Sequence, residues 1–515
     1  MRILRASDRA LLVEAADLDE AMRLNRAWSD VTGIIERVPG ARTVLVQFDP
    51  LHVSAAELAA RLRETQVAAV SEQPAGEVVI PVRYDGDDLG DVAAQLGVSA
   101  EALITRHLAA RWQVAFFGFA PGFGYIVGDD PLFDVARRSS PRTRVPAGSV
   151  ALAGRFTGVY PRETPGGWQL IGRSDAVLWD ASRDPAALLV PGVAVRFERA
   201  ERLAVSAVPP VPATAVPTAT ARAVEVVQPG LQTVIEDAGR TGHAAIGVTA
   251  SGAADRVALR DANRAVGNAP GAAVLEIVGA AVLRLHGDGV AAVTGARGDL
   301  ALVGAGGAPR AAEADAPFAT FDGDELHLGF PTAGLRRVVA VRGGLDVGRT
   351  LGSRSTDTLA GLGPDPLEVG AFIRVGEDVQ GAVDPYPSHR ALPAPGALVE
   401  LEITLGPRDD WFTAGALAVL IQQEWEVTPQ SDRVGIRLRG DRPLERAVAG
   451  ELPSEGAVTG AIQVPADGQP VVFLPDHPLT GGYPIIAALT DRARDLAGQI
   501  PPGARVRFRV AGSAG

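Results

Sequence analysis

PRTRVPAGSVALAGRFTGVYPRETPGGWQLIG, Pro141 to Gly172, is the most informative stretch of this chain. Short runs of β-branched and apolar residues are broken every few positions by Gly or Pro. That is the pattern of short strands joined by tight turns rather than of helices. Glycine lets a ligand approach the backbone, and proline fixes loop shape. Arg142, Arg144, Arg155, Arg162 and Arg173 bring cationic forks to the same region, and a planar guanidinium suits carboxylate or phosphate. Surface ion pairing is the competing use, expected for about half of them. Gly148, Ser149, Thr157, Tyr160 and Trp168 complete the candidate binding set, although Trp168 serves equally well buried in a barrel wall. Similar text recurs downstream as QSDR (Gln430–Arg433), EGAVTGAIQVPADGQP (Glu455–Pro470) and TGGYP (Thr480–Pro484).

Composition sets the frame. With 515 residues the chain is too long for one compact unit, and 59 Gly, 38 Pro and 5% aromatics favour a turn-rich β protein. The net charge of −12 and the lack of a basic tract argue against nucleic-acid binding. There is no Cys and no Lys. Thiol nucleophiles, disulfides, Schiff bases, a Walker-A lysine and a biotinylated lysine are therefore excluded from this chain. MRILRASDRA carries charge where a signal peptide needs an apolar stretch, and no run approaches the roughly 18 apolar residues of a membrane span. The expectation is a cytoplasmic protein with no membrane and no nucleic-acid partner.

Five segments follow from the text. Residues 1–75 read as a small α/β unit of split βαβ type, with TVLVQF (Thr43–Phe48) as a strand, a helix near Asp17–Asp30, and Ser54 and Glu57 as a capping box. It carries no evident chemistry and reads as a docking or scaffold unit. Residues 76–203 read as a β-barrel-like domain with helix across Asp88–Ala110. Residues 204–222 form a Pro/Ala/Thr linker. Residues 223–390 and 391–515 read as two further β-barrel-like halves. In the last, Asp409 or Asp410 is expected to cap a helix reaching Trp425, and another helix is expected directly after TGGYP. The fold class is mainly β with α+β.

In the second module, Asp237, Arg240 and Asp255 sit in Gly-rich contexts (EDAGRTG, SGAAD), and Asp432 and Arg433 add a further pair. Carboxylates beside arginines can hold Mg2+ against phosphate, act as a base, or form structural ion pairs. Ser353, Arg354, Ser355 and Thr356 in LGSRSTD offer a hydroxyl-and-guanidinium nest for phosphate. Gly481, Gly482 and Tyr483, placed at a helix start, would present backbone N–H groups to an anion. His107, on a predicted helix just before the GFAPGFGY loop, is a catalytic candidate, although a lone helical histidine is usually structural. No residue is singled out as a metal ligand. VGAGGAP at Val303 reads as a hairpin, and Asp322-Gly323-Asp324 as a turn rather than a calcium loop.

These motifs, with GFAPGFGYI (Gly118–Ile126), DAGRTG, NRAVGN, DDWF, TPQSDRVG and SEGAVTGAIQVP (Ser454–Pro465), resemble a known pair of families. Residues before about 205 resemble the B subunit of bacterial ATP-dependent 5-oxoprolinase, and those after about 222 resemble its C subunit. The same pair is labelled allophanate hydrolase subunits 1 and 2, or a sporulation-kinase inhibitor and its antagonist. Urea carboxylases contain similar carboxyltransferase halves. The resemblance implies cyclophilin-like β-barrel domains, ATP and Mg2+, a small lactam substrate and, as a separate partner, the 5-oxoprolinase A subunit; a homo-oligomer is compatible with it. His107 matches a family position. Two alternatives stand beside it: a carboxyltransferase served by a biotinyl partner, and a regulatory binding protein. Two residues depart from the resembled pattern. Phe156 stands where Gln is expected, which would remove a side chain able to touch ligand, and Glu236 stands where Gln commonly precedes Asp237.

Overall fold

The computed structural model describes residues 1–67, 76–138, 140, 142–203, 222–386 and 389–512. Nearly all of the Pro/Ala/Thr linker expected at 204–222 lies outside them. Among the described residues no helix is long and apolar enough to cross a membrane.

The N-terminal sheet contains Arg2–Ser7, Ala10–Glu14, Thr43–Phe48 and Ile34–Pro39 in that spatial order, all antiparallel. Ala10–Glu14 and Ile34–Pro39 are joined by the helix Leu18–Ala27 and separated by Thr43–Phe48, which is the expected split βαβ unit. Ser54 caps the helix Ala55–Glu64 by accepting from Glu57 N at 3.2 Å. Both sheet faces are buried, which explains the unbroken apolar runs ALLV and TVLV. Leu11, Val13, Val44 and Val46 face the helices, while Ala10, Leu12 and Leu45 face Ala461, Phe473 and Ile485 from the far end of the chain. The unit is thus a docking element clamped onto the C-terminal barrel. Arg408 fastens the clamp by bonding Glu455 Oε2 at 2.6 and 2.9 Å and pairing with Glu14.

The first barrel orders its strands as Glu77–Val82, Ala194–Arg199, Trp112–Phe117, Gly124–Gly128, Phe156–Val159, Ser149–Ala153 and Gln169–Arg173. A bridge between Arg83 and Arg173 brings its edges together. The second barrel is closed and runs Leu398–Leu405, Arg505–Val510, Trp425–Val427, Gly435–Arg439, Val471–Phe473, Ala461–Gln463 and Ile485–Leu489. The two orders correspond strand for strand. In both, the strand earliest in the sequence pairs in parallel with the latest: Glu77–Val82 with Ala194–Arg199, and Leu398–Leu405 with Arg505–Val510. In both, a tryptophan opens the third strand in the order and donates its Nε1–H to the carbonyl five residues earlier: Trp112 to His107 at 2.8 Å, Trp425 to Leu420 at 3.1 Å. The chain therefore contains one barrel twice.

Among the described residues of 223–390 the strands form no closed barrel; a seven-stranded sheet stacks on a five-stranded one. The chain changes sheets at corners such as Pro229-Gly230, where Gly230 has φ +71°, and Gly279, with φ +87°. The helix Arg256–Val266 covers the outer face.

Two helix expectations are corrected. No helix runs from Asp409 to Trp425. A single 3-10 turn at Asp409–Trp411 gives way to extended backbone at Phe412, Thr413 then caps Ala414–Gln422, and Trp425 begins a strand. Nor does a helix follow TGGYP directly. The fully buried run IIAAL forms the strand Ile485–Leu489, and the helix Asp491–Ala497 comes after it.

His107 lies on the helix Ala100–Ala109 but points into the barrel core. It bonds Tyr84 Oη at 2.7 Å and Thr157 Oγ1 at 3.2 Å, with Phe133 and Phe197 packed around it. It is sealed from solvent among these groups, a placement that accounts for it as a packing and hydrogen-bonding residue of the core. Burial lowers its pKa to about 3. A base depressed in the folded state contributes stability that is complete above the unfolded value near 6.5 and is lost as pH falls toward about 3. His107→Gln, which cannot titrate, is expected to flatten the acid limb of a melting-temperature profile between pH 7 and 4. An unchanged limb would contradict this.

Candidate functional site

Each barrel extends a two-stranded arm. Thr164–Gly166 pairs with Arg142–Val145 in the first, and Thr480–Gly481 pairs with Glu455–Gly456 in the second. Each arm ends in Gly-Gly-aromatic: Gly166-Gly167-Trp168 and Gly481-Gly482-Tyr483. The glycines permit close approach. A Cβ at 166 would overlap Tyr160 Oη, and one at 482 would overlap Arg137 Nη1.

Where the arms meet, a cavity of about 430 Å3 opens between the barrels. The first barrel contributes Phe119, Phe123, Tyr125, Arg137, Tyr160 and Trp168; the second contributes Arg446, Ser454, Gln463, Thr480 and Tyr483. The seam is hydrogen-bonded. Phe119 N donates to Thr480 Oγ1 at 2.9 Å, Arg137 Nη2 donates to Ser454 Oγ at 2.8 Å, and Tyr125 Oη lies 3.3 Å from both hydroxyls. Phe119 holds φ at +61°, a strained value for a non-glycine residue, at the wall itself. Burial raises the Tyr160 phenol well above its ordinary pKa, so it stays a neutral donor. The result is an aromatic-walled chamber with hydroxyl, amide and guanidinium groups converging on it, a usual composition for a small-molecule site.

Of the sequence candidates, Tyr160, Trp168, Gly481, Gly482 and Tyr483 are brought together here. In TGGYP, Thr480 and Gly481 form a short strand, and Gly482 and Tyr483 bend into the strand Ile485–Leu489, so no helix starts there. Other candidates are spent elsewhere. Arg142 and Arg138 both bond Asp88, which also accepts from Leu170 N at 2.7 Å. Burial alone would raise the Asp88 pKa, but these bonds hold it low. Arg144 pairs with Glu163 at 2.6 Å, and Arg173 pairs with Asp85. Gly148 lies in a turn and Ser149 opens the strand Ser149–Ala153, with Ser149 Oγ donating to Pro146 O at 2.8 Å. Thr157 is fully buried beside His107. Phe156 packs edge-on against Phe116 and Tyr125, behind the cavity wall, so its departure from the resembled pattern alters packing rather than a ligand contact.

The second-module candidates form a separate structural system. The LGSRSTD nest is already filled, because Asp237 is its anion. Ser353 Oγ and Ser355 Oγ each donate to Asp237 Oδ1 at 2.6 Å, and Arg354 N donates to Oδ2 at 2.7 Å. The Arg354 side chain bonds Val347 O at 2.9 Å, and Arg240 bonds Ser355 O. Asp255 caps the helix Arg256–Val266 and is held by Gln499 and Arg390. Asp432 closes a turn on Val434 N and Gly435 N. Arg433 is fully buried against Glu236, Glu276 and Asp476, welding the two-sheet stack to the second barrel. The candidate carboxylates Asp237, Asp255 and Asp432 are taken up by internal donors and do not fit Mg2+. Among the described residues no group of three or more His, Asp or Glu is arranged around a metal position.

Sequence reading missed Arg137, Arg446, Ser454, Thr480 and Gln463. Three of them lie within quoted motifs; the arginines lie just upstream of the arms, and only the tertiary fold delivers them.

Comparison with known proteins accounts for both modules. A family model described as carboxyltransferase domain, subdomain A and B, matches residues 246–510; one described as carboxyltransferase domain, subdomain C and D, matches residues 1–189. The chain is 37% identical over 189 residues to the B subunit of 5-oxoprolinase from Escherichia coli O157:H7, spanning 36% of this chain and 87% of that protein. It is 33% identical over 195 residues to the C subunit of 5-oxoprolinase from Escherichia coli (strain K12), spanning 36% of this chain and 59% of that one. Over 219 residues it is 30% identical to urea amidolyase of Lachancea kluyveri, 38% of this chain and 12% of that protein. The crystal structure of TTHA0988 superposes with a TM-score of 0.83 at 33% identity, covering 97% of this chain and 100% of that one.

Proposed function

The chain belongs to the carboxyltransferase-domain family and carries both of its subdomain pairs in one polypeptide; on that premise we propose that it is the 5-oxoproline-activating component of an enzyme complex. In this reading it works with a separate protein, the 5-oxoprolinase A subunit, to convert 5-oxoproline to L-glutamate at the cost of ATP. ATP transfers its terminal phosphoryl group to the lactam oxygen and leaves as ADP. Water then adds to the activated carbon, the ring C–N bond breaks and phosphate departs. The supporting observation is the cavity built jointly by the two modules, the first similar to the B subunit of 5-oxoprolinase and the second to the C subunit. Its aromatic walls suit the ring methylenes, and Ser454, Thr480 and Gln463 suit the lactam amide. The test is glutamate release from 5-oxoproline with Mg-ATP, using this chain mixed with the purified A subunit. Release that requires both proteins and ATP is the expected result; none, with an active partner, sinks the reading.

The carboxyltransferase description of the family and the likeness to urea amidolyase favour one second reading, transfer of a carboxyl group from biotin to a urea-like amide. Since the chain has no Lys, a biotinyl protein would have to be supplied separately. Carboxylation of urea by this chain with a carboxybiotinyl carrier protein would support it.

A further inference from the structure

We propose that Arg137 and Arg446 make the inter-barrel cavity selective for small amides that also bear a carboxylate, and against neutral amides such as urea. This rests on the reading of that cavity as the lactam site. The first-barrel arginines near it are mostly neutralised: Arg138 and Arg142 by Asp88, Arg144 by Glu163, Arg173 by Asp85. Arg137 and Arg446 differ. Arg137 donates from Nη2 to Ser454 Oγ, and its Nη1 lies against Gly482. Arg446 donates from Nη2 to Val464 O at 2.8 Å, sits 5.8 Å from the centre of the Tyr483 ring, and has a buried Nε without a partner. Among the described residues neither forms an ion pair; the one carboxylate in the cavity lining, Glu451, is exposed and pairs with neither.

Two half-buried cations against aromatic walls, neither held in an ion pair, carry a desolvation cost that an incoming anion offsets. They come from corresponding connections of the two barrels, each entering its arm, so they act from opposite walls. A planar fork matches a carboxylate, and its charge-assisted bonds are the strong kind. The hydroxyls of Ser454 and Thr480 and the amide of Gln463 remain for a neutral amide group on the same molecule. A ligand satisfying both sets is a compact amide acid. Urea satisfies only the second.

The experiment is titration calorimetry of the full chain with 5-oxoproline, its carboxamide, urea and inorganic phosphate. The acid is expected to bind about 30-fold more tightly than its carboxamide, from one to two charge-assisted bonds. Arg446→Gln is expected to shrink that preference to about 3-fold. Because the ligand comparison uses the unaltered chain, it stands even if the variant folds poorly. Equal binding of acid and carboxamide, no binding of the acid, or phosphate binding as tightly as the acid would each overturn the proposal. If the preference holds but the mixture with the A subunit releases no glutamate, the functional reading fails and the selectivity stands. If glutamate is released from acid and carboxamide with equal kcat/KM, the selectivity fails and the reading stands.

Discussion

Arg433→Met is expected to destabilise the second module by roughly 3–5 kcal/mol, the range for removing one partner of a buried ion pair. Arg433 is sealed from solvent and faces three carboxylates, with Asp476 at 3.0 Å, Glu236 at 3.1 Å and Glu276 in contact. Asp476 also receives Ser251 Oγ and Thr358 N, so the network spans both halves. Burial alone would raise the Asp476 pKa, yet Arg433 holds it below the ordinary value. Without the cation these acids must take up protons or remain as uncompensated charges. The loss should therefore be larger at pH 8 than at pH 5.5 in urea unfolding, and an unchanged midpoint at both would refute it. Glu236→Gln should act oppositely. Burial pushes the Glu236 pKa up, aided by the neighbouring Glu276 and Asp476 carboxylates and opposed by Arg433. A raised carboxyl loses stability as pH climbs above its unfolded value near 4.5, so the neutral amide should gain stability most on the alkaline side.

Gly118→Val is expected to lower kcat/KM for glutamate release about 100-fold, the scale for a reacting group displaced by roughly 1 Å. Gly118 opens the GFAPGFGYI motif, and a Cβ there would overlap the Thr480 hydroxyl and lie 2.5 Å from its methyl group. Thr480 cannot yield easily, because it receives Phe119 N and faces Tyr125 across the seam. The added side chain would wedge the barrels apart at the cavity wall while each barrel core stays intact. Melting temperature should fall only slightly beside the loss of activity. Full activity in a folded variant would show that the seam does not set the site.

The glycine at 118 also shows where sequence reading stops. It does not adopt positive φ, so no turn rule demands it; its reason is a threonine more than 350 residues away, at |i−j|=361 from its neighbour Phe119. The split βαβ unit, the capped helix after Ser54 and the strand-and-turn character of both modules were legible, because alternation, caps and glycine turns are local signals. Asp237 and LGSRSTD were each recognisable as an unusual local cluster. That each is the other's partner depends on contacts at |i−j|=116, which no spacing rule reaches. Likewise the arginine-rich block 142–173 was readable as cationic, but the carboxylates that neutralise Arg142 and Arg173 belong to the segment around Asp85 and Asp88.

The doubled barrel has an evolutionary consequence. Two identical barrels meeting face to face would place a ligand on a twofold axis, and every substitution in the wall would be made twice. A symmetric chamber of that kind holds an asymmetric molecule poorly. Two copies in one chain are released from that constraint. One wall keeps tryptophan where the other has tyrosine, and one arginine reaches a hydroxyl where the other reaches a carbonyl. Two unequal copies in one chain give the cleft a distinguishable left and right that a twofold arrangement lacks.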